Sequence, residues 1–300
     1  MLETKINSLQ KQELEDKFKD FKVETNQLYL DFKAIFLDTT ISIYSNSKKQ
    51  LFKLLIKGPQ EQEIANQLNL CFEEKVTKKE YIPDSYTNYE DQIGSDEVGF
   101  GDFFGPIVVV GVYFKEKDKK LLEEYNIQDS KKLNDKKINE IVPKILNKFT
   151  YSLLVVNNEK LNSLFDSGYN LNRIKSILHN TVLLNLQKKI KRNDVSVYID
   201  QFTEPERFYS YVSDQSEEIQ NVVFKTKGES YFPSVALASC IARFAFINKM
   251  NELNKKYNMT FPYGASTVVD DFTQEFIKKY GKEELIKVCK KNFKNYKKLF

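Results

Sequence analysis

The chain has 300 residues, 41% of them hydrophobic and 29% charged, enough for one large globular domain or two ordinary ones and too apolar along its length for disorder. Its longest apolar run, Ile107 to Phe114, falls far short of the roughly 20 residues of a membrane span, and Met1-Leu2-Glu3-Thr4-Lys5 leads into a charged pattern rather than an apolar signal core. Three widely spaced cysteines (Cys71, Cys240, Cys289), one histidine (His179) and no tryptophan exclude a disulfide framework, a cysteine zinc site and a multi-histidine metal cage. The expectation is a reduced, cytoplasmic protein without membrane association, in which any metal chemistry runs on carboxylates.

The net charge of +4 is unevenly placed. Residues 1–90 hold 13 Lys against 15 Asp and Glu, a net of −2, which leaves +6 for residues 91–300. Lys287 to Phe300 carries six Lys and no acid. Such a run suits a polyanion, and equally a solvated helix face.

In chain order, Ile6, Leu9, Leu14, Phe18 and Phe21 lie at helical spacing and predict an amphipathic surface helix over 5–23. The period then becomes two: Phe32–Leu37, Ile41–Tyr44 and Leu51–Lys57 predict three strands, and Gln60 to Phe72 a second helix after Gly58-Pro59. Together these form a small α+β unit. Polar, aperiodic residues 78–91 read as a linker. Beyond it, strands at 92–96, 106–114, 151–156, 195–200 and 222–226 alternate with helices near 119–125, 134–147, 170–192 and 204–212. A long helix opens near Pro233, and two or three more follow. This alternation predicts an α/β layer structure with a mostly parallel or mixed sheet.

Four acids fall at strand ends, strand centres or a helix start: Asp96, Glu97, Asp200 and Glu229. Asp96 and Asp200 close apolar strand runs, where an ionised carboxylate is costly unless paired or bound to a cation. Carboxylates converging from separate strands suit hard divalent ions, and two such ions clamp the attacking and leaving oxygens of a phosphodiester. Each acid taken singly is also an ordinary strand-end or cap residue. The glycines of Val98-Gly99-Phe100-Gly101-Asp102-Phe103-Phe104-Gly105-Pro106 have the wrong spacing for a dinucleotide fingerprint, and no helix follows; they suit close approach of the backbone to a ligand. His179 reads as a packed mid-helix residue, Cys240 as a small core residue and Ser239 as no nucleophile. Asp270-Asp271 reads as the acidic start of a helix.

Together these residues resemble the type 2 ribonucleases H, in particular the ribonuclease HIII branch. Gly94 to Pro106 resembles the first motif of that family, and Asp129-Ser130-Lys131-Lys132-Leu133 its phosphate-contacting motif. Tyr198-Ile199-Asp200-Gln201-Phe202 resembles its third acidic motif, and Lys225 to Ser230 with Ala238 to Arg243 its fourth. The resemblance implies a ribonuclease H-like mixed sheet flanked by helices over 91–300, and over 1–86 a small α+β domain similar to the TATA-binding-protein sheet. It implies an endoribonuclease that cuts the RNA strand of RNA–DNA hybrids by two-metal-ion catalysis, leaving 5′-phosphate and 3′-hydroxyl ends. Asp96, Glu97, Asp200 and Glu229 would hold Mg²⁺, or Mn²⁺ in its place, the glutamate at 229 marking the HIII branch. Gly99, Phe100 and Gly101 would meet the 2′-hydroxyl through backbone groups, and Ser130, Lys131 and Lys132 the phosphates. Phe100 stands where a small or polar residue is expected. In the N-terminal unit, Tyr44, Lys53 and Lys57 lie on the open sheet face and would hold the hybrid, although that unit is net acidic. No obligate protein partner is expected. The alternatives are an HII-type enzyme acting at single ribonucleotides in DNA and a non-catalytic hybrid-binding protein; the four acids argue against the latter, since like charges facing phosphate are unfavourable without metal.

Overall fold

A computed structural model describes residues 2–24, 30–45, 51–68, 70, 73–74, 86–127 and 133–299. The chain divides into two compact units, Met1–Tyr81 and Ile82–Phe300.

The first unit opens with strand β1 (Leu2–Ile6), followed by helix α1 (Ser8–Lys17). The predicted helix over 5–23 is therefore a strand, a helix and a short 3-10 turn at Lys19–Phe21. Two features mislead the helical spacing: Leu9 and Phe21 are exposed, and Ile6 is buried as a strand residue. Asn7 sets the break, accepting from the Gln10 N–H while the Gln10 side chain accepts from its own N–H, a reciprocal cap that starts α1. Strands β2 (Leu30–Phe36), β3 (Thr39–Tyr44) and β4 (Phe52–Lys57) form the expected meander, then come α2 (Glu61–Gln67) and β5 (Glu73–Glu74). The antiparallel sheet has the order β2-β3-β4-β1-β5. Alternation along its strands sends Ile41, Ile43, Leu54 and Ile56 into a core shared with Leu14, Phe18 and Ile64. The opposite face carries Thr40, Ser42, Tyr44, Leu55 and Lys57 around a shallow concavity of about 360 Å³.

The second unit is built on β6 (Gln92–Val98), β7 (Ile107–Phe114), β8 (Thr150–Val156), β9 (Ser196–Asp200) and β10 (Val222–Lys225), in the order β10-β9-β6-β7-β8. The sheet is mixed: β10, β9 and β6 run parallel, while β6, β7 and β8 pair antiparallel. Helices α3 (Lys119–Glu124) and α4 (Asp135–Ile145) follow β7. Between β8 and β9 lie α5 (Asn158–Asp166) and α6 (Leu171–Ile190), and between β9 and β10 lies α7 (Pro205–Val212). The chain continues through α8 (Pro233–Tyr257), α9 (Thr267–Tyr280), α10 (Lys282–Ile286) and α11 (Lys294–Lys297). Every residue of β7 is buried because both faces are covered. Val108, Val110 and Val112 join the core with α4, α8 and α9, while Ile107 and Val109 join the core with α6 and α7.

Part of the expected linker is instead fastened to this unit. Tyr86 is buried in its core, Thr87 donates its N–H to the Tyr231 carbonyl at 3.1 Å, and the Asn88 amide donates to the Tyr198 hydroxyl at 3.1 Å. Residues 81–85 lie outside the described residues. Among the described residues no helix is long and apolar enough to cross a membrane.

Candidate active site

Asp96 and Asp200 lie where β6 and β9 end side by side. These strands run parallel, with Gly94 opposite Tyr198 and Ser95 opposite Ile199, so Asp96 and Asp200 come next in register. Gly94 lies on the α8 face, where a Cβ would stand 2.4 Å from the Ser234 hydroxyl, so only glycine lets α8 approach this closely. By alternation Asp96 shares that face, and the Ser239 hydroxyl of α8 and the Glu97 N–H donate to its carboxylate. Asp200 accepts from the Gly228 N–H at 2.8 Å, which draws the turn carrying buried Glu229 against the end of β9.

Glu97 faces the other way, toward α6. Lys175 Nζ reaches one of its oxygens at 2.5 Å and His179 Nε2 the other at 2.9 Å. The far side of the imidazole meets the Ser95 hydroxyl at 2.7 Å. Phe202 stacks on the His179 ring, and the Lys175 ammonium lies over the rings of Phe100 and Phe202, 4.6 and 5.1 Å from their centroids.

The two neighbouring carboxyls consequently titrate in opposite directions. Burial pushes Asp96 well above the usual carboxylate range, and the charges of Glu97 and Asp200 add to it. Burial also disfavours ionised Glu97, but the His179 hydrogen bond and the charges of His179 and Lys175 outweigh it and hold the carboxyl at about 2. Around Asp96 the site holds negative charge in excess. Its donors are hard carboxylate oxygens, the set that Mg²⁺ and similar ions take, so the residues fit a divalent cation. Among the described residues no three His, Cys, Asp or Glu side chains stand together as a ready-made cage.

The glycine turn follows directly. Gly99 has φ +94°, and a Cβ there would lie 2.3 Å from the Pro106 carbonyl, whereas Gly101 is exposed with no atom within 4 Å of its Cβ position. Phe100 leans away from the tip onto the α6–α7 core. Ser130, Lys131 and Lys132 lie outside the described residues. In the N-terminal unit Tyr44 pairs across the sheet with Lys53, and Lys57 with Thr40. Lys53 is not an open cation, because it is ion-paired to Glu3 at 2.7 Å.

The six lysines from 287 onward form no continuous anion-binding face. Lys287, Lys291 and Lys298 pair with Glu284, Asp166 and Asp270, and Lys290 is buried. Asp270 accepts from Asn295 and Lys298, so its carboxylate is engaged at the start of α9. Sequence reasoning passes over Lys175, gives Ser95 and Phe202 no role beyond their place in the quoted motifs, and dismisses Ser239 as a nucleophile without revealing it as the donor to Asp96. A signal for the first is present: Lys175 and His179 are spaced i, i+4 and share one helix face.

The sheet order, with acids at adjacent strand ends backed by a long helix, is that of a ribonuclease H-like fold. The family model for ribonuclease HII matches residues 93–296. A ribonuclease HIII of Bacillus anthracis is 43% identical over 233 residues, covering 77% of this chain and 75% of the relative. One from Bacillus cereus is 44% identical over 227 residues, covering 75% and 73%. The crystal structure of Bst-RNase HIII in complex with Mn²⁺ superposes with a TM-score of 0.68 at 28% identity, covering 99% of this chain and 97% of that one. The chain belongs to the ribonuclease HIII family.

Proposed function

We infer that this protein is an endoribonuclease that hydrolyses the RNA strand of RNA–DNA hybrids, with Asp96, Glu97, Asp200 and Glu229 as its acids and Mg²⁺ as its working ion. The supporting observation is the excess of negative charge around Asp96, whose ionisation burial, Glu97 and Asp200 all oppose. These carboxylate oxygens would hold divalent cations, whose chemistry there would be positive charge for the scissile phosphate and a lowered pKa for the attacking water. The chain's own residues do the rest. Ser239 and the Glu97 N–H orient the Asp96 carboxylate, and the Gly228 N–H orients Asp200. Lys175 and His179 keep Glu97 ionised and directed. Backbone groups at Gly99, Phe100 and Gly101 meet the 2′-hydroxyl that distinguishes RNA from DNA. Ser130, Lys131 and Lys132 hold backbone phosphates and set register without reading sequence. Tyr44, Lys53 and Lys57 on the sheet of the first unit hold the hybrid. The test is a cleavage assay with Mg²⁺, Mn²⁺ or chelator on a uniform hybrid and on a DNA duplex with one embedded ribonucleotide. Metal-dependent cutting along the uniform hybrid is the expected result; cutting confined to the single-ribonucleotide duplex would replace this reading with an HII-type activity.

A further inference from the structure

Lys290 is 1% exposed. Its Nζ donates to the carbonyls of Asp102 at 2.7 Å, Phe104 at 3.2 Å and Gly105 at 2.6 Å, one hydrogen of the ammonium for each oxygen. The backbones of the same two segments are zipped together: the Lys290 N–H donates to Phe103 at 3.0 Å, and the Gly105 N–H to Val288 at 3.1 Å. From the other side, the Phe103 N–H donates to Gly264 at 2.9 Å and the Gly264 N–H to the Asp102 carboxylate at 2.6 Å. All of these bonds fasten residues 102–105, directly after the Gly99–Gly101 turn, in which Gly99 is buried and Gly101 is the exposed point.

Burying an ammonium is expensive, and an apolar side chain of similar length would fill the space without that cost. Burial pushes the Lys290 amine down to about 7, against the opposing influence of Asp102 and Cys289. The three carbonyls that take its hydrogens offset the cost of burying the amine.

We propose that Lys290 is a positioning residue for ribose recognition: by pinning the carbonyls of Asp102, Phe104 and Gly105, it fixes where the Gly99–Gly101 backbone meets a 2′-hydroxyl. The inference rests on the reading of Gly99–Gly101 as the ribose contact. Lys290 itself touches no substrate and none of the four acids. Its loss therefore acts on substrate discrimination and KM and leaves the chemical step alone.

The experiment compares the full chain with Lys290→Met on a uniform hybrid and on hybrids with one 2′-deoxynucleotide placed at successive positions of the RNA strand. The wild type should lose affinity when one particular 2′-hydroxyl is removed. Lys290→Met should raise KM for the uniform hybrid about tenfold with kcat within about twofold, and the missing hydroxyl should no longer matter. A merely structural role would lower the melting temperature and leave that penalty intact, which overturns the proposal. A wild type with no penalty at any position instead overturns the ribose reading of the glycine turn. Lys290→Gln, which keeps two of the three hydrogens, serves if the methionine variant does not fold. In the wild type, slow hydrogen exchange of the Phe103 and Gly105 amides, matching the central strands, is required; fast exchange refutes the pinning.

Discussion

Strand alternation sends Asp96 to the α8 face and Glu97 to the α6 face, and the two carboxyls meet opposite electrostatics there. The Asp96 pKa is raised in the folded state. Its proton therefore contributes stability fully below the ordinary carboxylate value of 3.8, and that contribution drains away as pH rises through the folded-state pKa. Asp96→Asn removes this dependence. It should abolish cleavage by at least about a hundredfold while the metal-free protein melts at or above the wild-type temperature. Activity near the parental rate, or a large fall in melting temperature, would refute the assignment. Glu229 and Asp270 provide a contrast. Asp270 is occupied by Asn295 and Lys298, whereas Glu229 is buried one residue from the Gly228 N–H that binds Asp200. In a Mg²⁺ titration, Glu229→Gln should cost about tenfold or more in rate and Asp270→Asn almost nothing; the reverse order would move the fourth acid to α9.

At the scale of elements, β2 to β4 and the five strands of the second unit are legible in the sequence, by alternation where one face is covered and by an unbroken apolar run in β7 where both are, whereas β1 and the two-residue β5 are not. Where burial is made by polar groups, the pattern disappears. Helix α5 escapes the pattern for this reason: its inward face carries Asn158 and Asn162, and Asn162 donates to the Ile286 and Cys289 carbonyls. Strand β1 is hidden by exposed apolar residues that mimic a helix. The acids can be picked out as strand ends, but their opposed orientations depend on which helix covers each face. Lys290 looks in the sequence like one more surface charge. Its amine is lowered from 10.5 to about 7, so the unfolded chain binds more protons across that interval and stability climbs with pH there. The slope is at most about 1.4 kcal/mol per pH unit. Urea unfolding at several pH values should show this slope in the wild type and a flatter one in Lys290→Met; equal slopes would mean the amine is not displaced, despite its burial between Asp102 and Cys289.

At the scale of the molecule, the four acids all lie in the second compact unit, so the hybrid-holding role proposed for the first can be tested apart from the proposed chemistry. A chain beginning at Ile82, which retains the anchoring residues Tyr86 to Asn88, should cleave slowly and bind hybrid with a shallower dependence of log affinity on log salt. Every phosphate that is no longer neutralised by a lysine takes roughly one unit off that slope. The Lys53–Glu3 ion pair sharpens the expectation for single changes. Lys57→Ala should reduce the slope by about one unit and Lys53→Ala by clearly less, because Lys53 is already partly neutralised. Binding measured at several salt concentrations decides the matter, and an unchanged slope on removal of the whole unit would assign it a role other than holding substrate.

The glycine turn also carries a constraint in time. Lys290 follows Asp102 by 188 residues, and at 5–20 residues per second translation needs roughly 10–40 s to get from one to the other. The β6–β7 hairpin can pair within microseconds of emerging, yet the carbonyls of Asp102, Phe104 and Gly105 in its turn gain their shared donor only when a lysine made much later arrives. On the proposed role of the turn, a nascent chain already bearing Asp96 and Asp200 would lack the fixed contact for ribose, and discrimination would mature only as synthesis passes Lys290.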